Sequence, residues 1–353
     1  MHVKPGRAAR LRVLVVDDSA TSRSLLVGLL NESPHLEVIG EATGGLQAVR
    51  MTARLRPDVI TMDIHMPFMD GYETTRRIME ETPLPIVIVS ADHHTENVAK
   101  SFRALEAGAL AVFPKPGTGP ATDFDSRAAE LVEAVRLMAG VKVIRRHSRP
   151  RLRREIEPSS KVPGIAEVVA IGASTGGPAA LAQLLARLPA DFAAPILVVQ
   201  HLARGFEAGL TAWLDSVSPL AVRLAENGDE LVPGRVLIAP HDVHLGVSRG
   251  RRVVLEDSDP IGRHRPSATH LFRSVGDVFG SGSLGVILTG MGDDGVAGLG
   301  DLRRAGGHVL AQDESSCVVY GMPGAAVAAG VVDEVVPLGM LPETIDRCCR
   351  SLT

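Results

Sequence analysis

At 353 residues the chain is too long for one ordinary hydrophobic core, and at about 150 residues per domain it should form two. Hydrophobic residues at 45% and charged residues at 22% exclude a disordered or fibrous chain. Aromatic residues at 3% leave Val, Leu, Ile and Ala to fill the cores, which suits parallel sheets buried between helices. The three cysteines, Cys317, Cys348 and Cys349, show neither a disulfide framework nor metal-ligand spacing. The basic N-terminus (Lys4, Arg7, Arg10, Arg12) leads into an apolar run that Asp17-Asp18 cuts short. Neither a signal peptide nor membrane insertion is therefore expected, and a cytoplasmic location is.

In chain order, Val13–Val16 is a continuous apolar run, and Leu25, Leu26, Leu29 and Leu30 follow at helical spacing. Strand runs recur at Glu37–Glu41, Val59–Met62, Ile86–Ser90 and Ala111–Phe113, with helix-length segments between them. A last helix over Asp125–Ala139 puts Leu131, Val132, Val135 and Met138 on one face. Five short strands alternating with helices predict a parallel, doubly wound α/β sheet over residues 10–140, after an N-terminal extension 1–9. Residues 141–163 are rich in Arg, Ser and Pro and read as a linker. Eight Lys and Arg lie there (Lys142 through Lys161) against Glu155 and Glu157, a local net charge of +6 in a chain of net −4. With no aromatics interleaved, such a run reads as a solvated linker or a dock for an acidic protein surface, and no nucleic-acid partner is expected. A second β-α alternation over 164–353 has strands at Val168–Ile171, Ile196–Gln200, Arg235–Ala239, Gly285–Thr289 and His308–Ala311.

Ligands of open α/β sheets collect at the carboxyl ends of the strands. Asp17, Asp18, Asp63, Ser90 and Lys115 all fall at such ends in the first half. Converging carboxylates need a cation, and an all-oxygen donor set suits Mg²⁺. Asp63 would then accept a phosphoryl group, with Lys115 and the Ser90 hydroxyl positioned for its oxygens. The segments VLVVDDS, TMDIHMPFMDG, VIVSA and FPKP resemble the two-component receiver (response-regulator) family, whose domain has a flavodoxin-like fold. The resemblance implies Mg²⁺ bound by Asp17, Asp18 and Asp63, and phosphorylation of Asp63 by a histidine kinase as phosphodonor. It also makes Ser90 the switch hydroxyl, Lys115 the phosphate-pairing lysine, Phe113 an aromatic switch residue and Lys115–Pro116 a candidate cis bond.

In the second half, Val168–Ile171 runs into Gly172-Ala173-Ser174-Thr175-Gly176-Gly177-Pro178, then a helical stripe of Leu181, Leu184, Leu185 and Leu188. A strand–glycine turn–helix exposes the Ser174 hydroxyl beside the N–H groups of a helix N-terminus, which suit a phosphate or a tetrahedral oxyanion. The segment lacks the Gly-Lys-Ser/Thr ending of a P-loop and the spacing of a dinucleotide fingerprint. A serine nucleophile needs a base and the base an orienting carboxylate. His201 follows the strand ILVVQ directly, and Asp294 lies beyond the strand Gly285–Thr289, with Asp293 as a rival. The order Ser, His, Asp differs from that of the α/β-hydrolases. His241 and His244 follow a strand and lack the glutamate of a zinc-protease motif, so they read as structural.

GASTGGP, QHL, LAENGDELVPGRVLIAP, RHRPSATHLFRS, LTGMGDDG and CVVYGMP resemble the chemotaxis protein-glutamate methylesterase/glutaminase family (CheB) over about residues 165–345. The resemblance implies a doubly wound parallel-sheet α/β methylesterase domain with Ser174 as nucleophile, His201 as base and Asp294 as orienting acid. It further implies Thr175 supporting His201, and the Met291 N–H in the oxyanion hole. The activity implied is phosphorylation-activated hydrolysis of glutamate methyl esters, and deamidation of glutamine, on a methyl-accepting chemoreceptor, with no cofactor for the esterase chemistry. Where the family usually carries Asp, this chain has Thr269, a departure that bears on substrate contacts. Two alternatives remain: the same chemistry on another modified protein, or a non-catalytic phospho-switch that binds partners.

Overall fold

The computed structural model describes residues 10–90, 102, 104–117, 124–141 and 165–350. The N-terminal extension, the ADHHTEN stretch after Ser90 and the basic run 142–161 lie outside the described residues. The chain divides into two compact units; described residues up to Val141 belong to the first and those from Ile165 to the second. Among the described residues no helix is long and apolar enough to cross a membrane.

The first unit alternates β1 (Leu11–Val16), α1 (Ala20–Glu32), β2 (Leu36–Ala42), α2 (Gly45–Leu55), β3 (Val59–Met62), α3 (Gly71–Glu81), β4 (Ile86–Ser90), β5 (Ala111–Pro114) and α4 (Phe124–Met138). Its five strands form one sheet in the order β2-β1-β3-β4-β5, all parallel. β3 and β4 are buried at every position, as strands covered by helices on both faces must be. The chain winds outward in opposite directions from β1 and β3, which leaves a crevice beyond their carboxyl ends.

The second unit runs β6 (Val168–Ala173), α5 (Gly177–Leu185), β7 (Ile196–Gln200), α6 (Glu207–Val217), β8 (Ala221–Leu224), β9 (Arg235–Ile238), β10 (His244–Val247) and β11 (Val253–Glu256). It continues with α7 (Ala268–Phe279), β12 (Ser283–Ile287), α8 (Val296–Arg304), β13 (His308–Gln312), α9 (Met322–Ala328), β14 (Glu334–Val336) and α10 (Leu341–Cys349). Seven strands pair in parallel in the order β14-β13-β12-β6-β7-β9-β8, while β10 and β11 form a separate antiparallel hairpin. The doubly wound fold expected from the sequence holds in both units. β8, β14 and the hairpin were not anticipated: β8 and β14 are short sheet edges with half-exposed faces, which carry no continuous apolar run.

From β6 the chain builds β7, β9 and β8 on one side, then returns to lay β12, β13 and β14 on the other. The switch point lies between β6 and β12. Helix α7 packs across β6, β7 and β12, and its Leu271, Phe272 and Val275 join Leu197, Leu237 and Ile287 in the buried core. Its N-terminus is thereby fixed over the carboxyl ends of those strands.

Candidate functional site

In the first unit the backbone extends the ladder past the strand ends. Asp17 N–H donates to Ala42 O, Asp63 N–H to Val16 O and Lys115 N–H to Ser90 O, at 2.8–3.0 Å. Asp17, Asp63, Ser90 and Lys115 are all buried, whereas Asp18 is exposed and Phe113 half-buried. The Lys115 ammonium reaches both carboxylates, 2.7 Å from Asp17 Oδ2 and 2.7 Å from Asp63 Oδ2. Burial pushes the Asp63 carboxyl above its ordinary value against the opposing pull of Lys115. Burial works against the Lys115 charge as well, but its bonds to Asp17 and Asp63 hold the ammonium above the usual range. Oxygen atoms of Asp17, Asp18 and Asp63 lie within 4.8 Å of one another, an all-carboxylate cluster that fits a hard cation such as Mg²⁺. The peptide before Pro116 is not cis; the cis bond among the described residues is Arg265–Pro266. The FPKP match had suggested otherwise, but cis and trans prolines look alike in sequence.

In the second unit Ser174 stands at the first position after β6. Gly176 follows with φ +80°, a conformation L side chains resist, and the turn closes when Gly177 N–H donates to Ser174 O at 2.8 Å. Pro178 occupies the first turn of α5. A β-carbon at Gly290 would lie 2.8 Å from the Ser174 Cβ, so only glycine lets the loop after β12 approach the serine this closely. His201 begins the loop after β7 and its N–H donates to Ala173 O at 2.9 Å. Gln200, buried at the end of β7, donates from Nε2 to both Ser174 O and His201 O at 2.8 Å, stitching the two loops together.

His201 Nε2 lies 2.9 Å from Asp294 Oδ2. Asp294 is buried, whereas the rival Asp293 is exposed. The Asp294 carboxylate also accepts from Ser267 Oγ (2.7 Å), Ala268 N–H (2.7 Å) and Thr269 N–H (3.2 Å), so it sits on the N-terminus of α7. Burial alone would raise its pKa, but the bonds from His201, Ser267 and Ala268 outweigh that cost and hold it well below the usual carboxylate range. An ionised carboxylate can only accept, so His201 Nε2 carries a proton. Nδ1 is buried with no hydrogen-bond partner, so neither Ser174 nor Thr175 bonds to it here. The assignment of nitrogens is thus the reverse of the common serine-protease arrangement, in which Nδ1 meets the carboxylate.

Thr175 is half-buried and offers its carbonyl to Thr289 Oγ1 at 3.0 Å. Met291 follows Gly290, whose N–H donates to Val319 O and whose carbonyl accepts from the N–H groups of Gly321 and Met322. Thr269 is buried, 5% exposed, and its Oγ1 accepts from Gly295 N–H at 2.8 Å. It braces the loop that carries Asp294 instead of lining an open surface, which corrects its reading as a substrate-contact position. Fully buried His244 accepts from Ser267 N–H at Nδ1, with Nε2 3.2 Å from Asp259 O, a structural use of both ring nitrogens. Sequence reasoning missed Gln200, Ser267 and His264. Ser267 alone had a legible signal, as an N-capping serine ahead of an apolar helical run.

One α/β unit with a carboxylate–lysine pocket, joined to another with a histidine held by a buried aspartate beside a turn serine, has the layout of a phosphate-controlled hydrolase. Family comparisons narrow the class. The CheB methylesterase model matches residues 169–345 and the response regulator receiver domain model matches residues 13–121. A protein-glutamate methylesterase/protein-glutamine glutaminase of Anaeromyxobacter dehalogenans is 51% identical over 92% of this chain and 95% of its own length. One of Myxococcus xanthus is 49% identical over 97% of this chain and 98% of its own. The crystal structure of the Thermotoga maritima CheB methylesterase catalytic domain superposes with a TM-score of 0.50 at 42% identity, covering 51% of this chain and 97% of that domain. The chain belongs to the CheB methylesterase family and carries a receiver domain ahead of the esterase domain.

Proposed function

We infer that this chain hydrolyses glutamate methyl esters, and deamidates glutamines, on a chemoreceptor in the cytoplasm, under control of phosphorylation at Asp63. In domain terms, residues 10–140 are the receiver, 141–163 the linker and 164–353 the esterase. The observation that carries the catalytic reading is the 2.9 Å contact of half-buried His201, through Nε2, with buried Asp294, at the sheet edge where Ser174 also stands.

The chemistry follows from that tautomer. Nδ1 of His201 takes the Ser174 Oγ proton as Oγ bonds to the ester carbonyl carbon, and Asp294 stabilises the imidazolium through Nε2–H. The Met291 N–H, next to the Gly290 carbonyl locked by two hydrogen bonds, is assigned to the developing oxyanion. Thr175 is assigned a supporting role beside His201. The carbon–methoxy bond breaks, and methanol leaves with the proton from Nδ1. Water, deprotonated by Nδ1, then opens the acyl-enzyme to give the glutamate carboxylate and restore Ser174. With glutamine the leaving group is ammonia.

In the receiver, Asp63 takes the phosphoryl group from a histidine kinase, Lys115 pairs with it, and Ser90 and Phe113 respond as switch residues. Mg²⁺ held by Asp17, Asp18 and Asp63 would neutralise phosphoryl oxygens there. The test is chemical trapping: acid quench of enzyme turning over methylated receptor should leave an acyl group on the Ser174 peptide. A trapped acyl group elsewhere, or none under a measured burst of methanol, overturns the mechanism.

A further inference from the structure

The loop between β11 and α7 carries an imidazole that the reaction scheme above does not use. The His264 ring lies parallel to the His201 ring, with centroids 4.0 Å apart and an angle of 2° between the ring planes. Its backbone is fixed by a reciprocal pair of bonds, His264 N–H to Ile261 O at 3.1 Å and Ile261 N–H to His264 O at 3.2 Å. Three residues later the same loop delivers Ser267, which caps α7 and holds Asp294. One short segment therefore touches both the base and its carboxylate.

The contact with Asp294 fixes one end of the His201 ring but leaves it free to swing about that bond. A parallel ring at van der Waals distance removes the swing on one face. We propose that His264 is a positioning residue for the esterase reaction: stacked on His201, it keeps the imidazole in the plane that joins Nε2 to Asp294 and presents Nδ1 to Ser174. The proposal rests on the reading of His201 as the general base. The stack works only while His264 is uncharged, because His201 becomes a cation in the reaction. The charged and titratable groups around His264 are His201, Asp294, Asp293 and Arg263. Burial and the neighbouring His201 hold the His264 imidazole below its ordinary 6.5, against the opposing pull of Asp294 and Asp293, so it is neutral at pH 8.

The test uses full-length enzyme with a phosphodonor and methylated receptor membranes at pH 8, comparing His264→Ala, His264→Phe and His264→Gln. The Ala and Gln variants should lose about ten- to hundred-fold in kcat with KM unchanged within about two-fold, the signature of a misplaced base. Phe, which stacks but cannot titrate or donate, should retain kcat within about three-fold of wild type. Nitrogen NMR should show His201 with Nε2 protonated and Nδ1 bare in wild type and in the Phe variant, and exchange-broadened in the Ala variant. If the Ala variant fails to fold, judged by its melting temperature, the Phe–Gln comparison decides by the same criterion. Equal kcat in all variants and wild type overturns the proposal, and so does a Phe variant as slow as Gln. The underlying base reading is checked separately: wild-type kcat in Ser174→Ala or His201→Gln would sink it, whereas no His264 result alone can.

Discussion

Ser267 Oγ lies 2.7 Å from Asp294 Oδ1, and both side chains are buried at the N-terminus of α7. The same hydroxyl oxygen accepts from Thr269 N–H at 3.1 Å, so one atom caps the helix and braces the carboxylate behind the base. Replacing Ser267 with Ala removes both bonds and should cost about 1–2 kcal/mol of stability. Urea unfolding of the esterase domain reads that loss. Activity should fall by about tenfold, because the Asp294 carboxylate loses one of the donors that fix it.

The low pKa of Asp294 sets an acid limit on stability. Burial acts to raise it, but the bonds from His201, Ser267 and Ala268 win, so the folded value lies below the 3.8 of the unfolded chain. As pH falls, the unfolded chain takes up the proton first. The stabilisation is therefore complete above about pH 5 and drains away as the pH drops through the folded value. The stability gap between wild type and Asp294→Asn should be widest near pH 7 and narrow steadily below about pH 4. Denaturant melts across that range would contradict the account if the gap stayed constant.

Burial leaves all three thiols protonated at ordinary pH, pushing Cys317 up to about 12, Cys348 up to about 11 and Cys349 up to about 12. Since the thiolate is the reactive form, an aromatic disulfide reagent at pH 8 should find almost no thiol in the native protein and all three after denaturation. Rapid native labelling of Cys317 would place its loop, which lies over the Ser174 turn, in a more open state than the structure has.

Thr269→Val keeps the shape of the buried side chain but removes the acceptor for Gly295 N–H. An orphaned buried N–H costs about 1–3 kcal/mol, so this variant should melt earlier than wild type. Thr269→Ser should restore most of the difference. If Val and wild type melt together, the hydroxyl has no part in bracing the Asp294 loop.

Much of this architecture was legible in the sequence because buried parallel strands write continuous apolar runs. Val59–Met62, Ile86–Ser90 and Ile196–Gln200 appear in the structure with those limits. β8, with only Val222 buried, lacks that signature; β10 has its run broken by His244 and Gly246, and β11 carries only the three apolar residues Val253–Leu255. Ser174, His201 and Asp294 could be singled out because each follows a strand and belongs to a motif. Gln200 and His264 could not, since which side chain crosses between two loops, or lies over a ring, depends on packing and not on period. Thr269 shows the converse: the motif draws notice to the position, but only the fold reveals that its side chain faces inward toward Gly295.

The central claim is tested most directly by methanol release from methylated receptor membranes. Wild type, Ser174→Ala and Asp63→Asn would each be assayed with and without a small-molecule phosphodonor. The account predicts release that rises with phosphodonor in wild type, stays at the basal rate in Asp63→Asn, and falls by on the order of 10⁴-fold in Ser174→Ala. Release that survives loss of the Ser174 hydroxyl would contradict it, as would a phosphodonor response that survives loss of the Asp63 carboxylate.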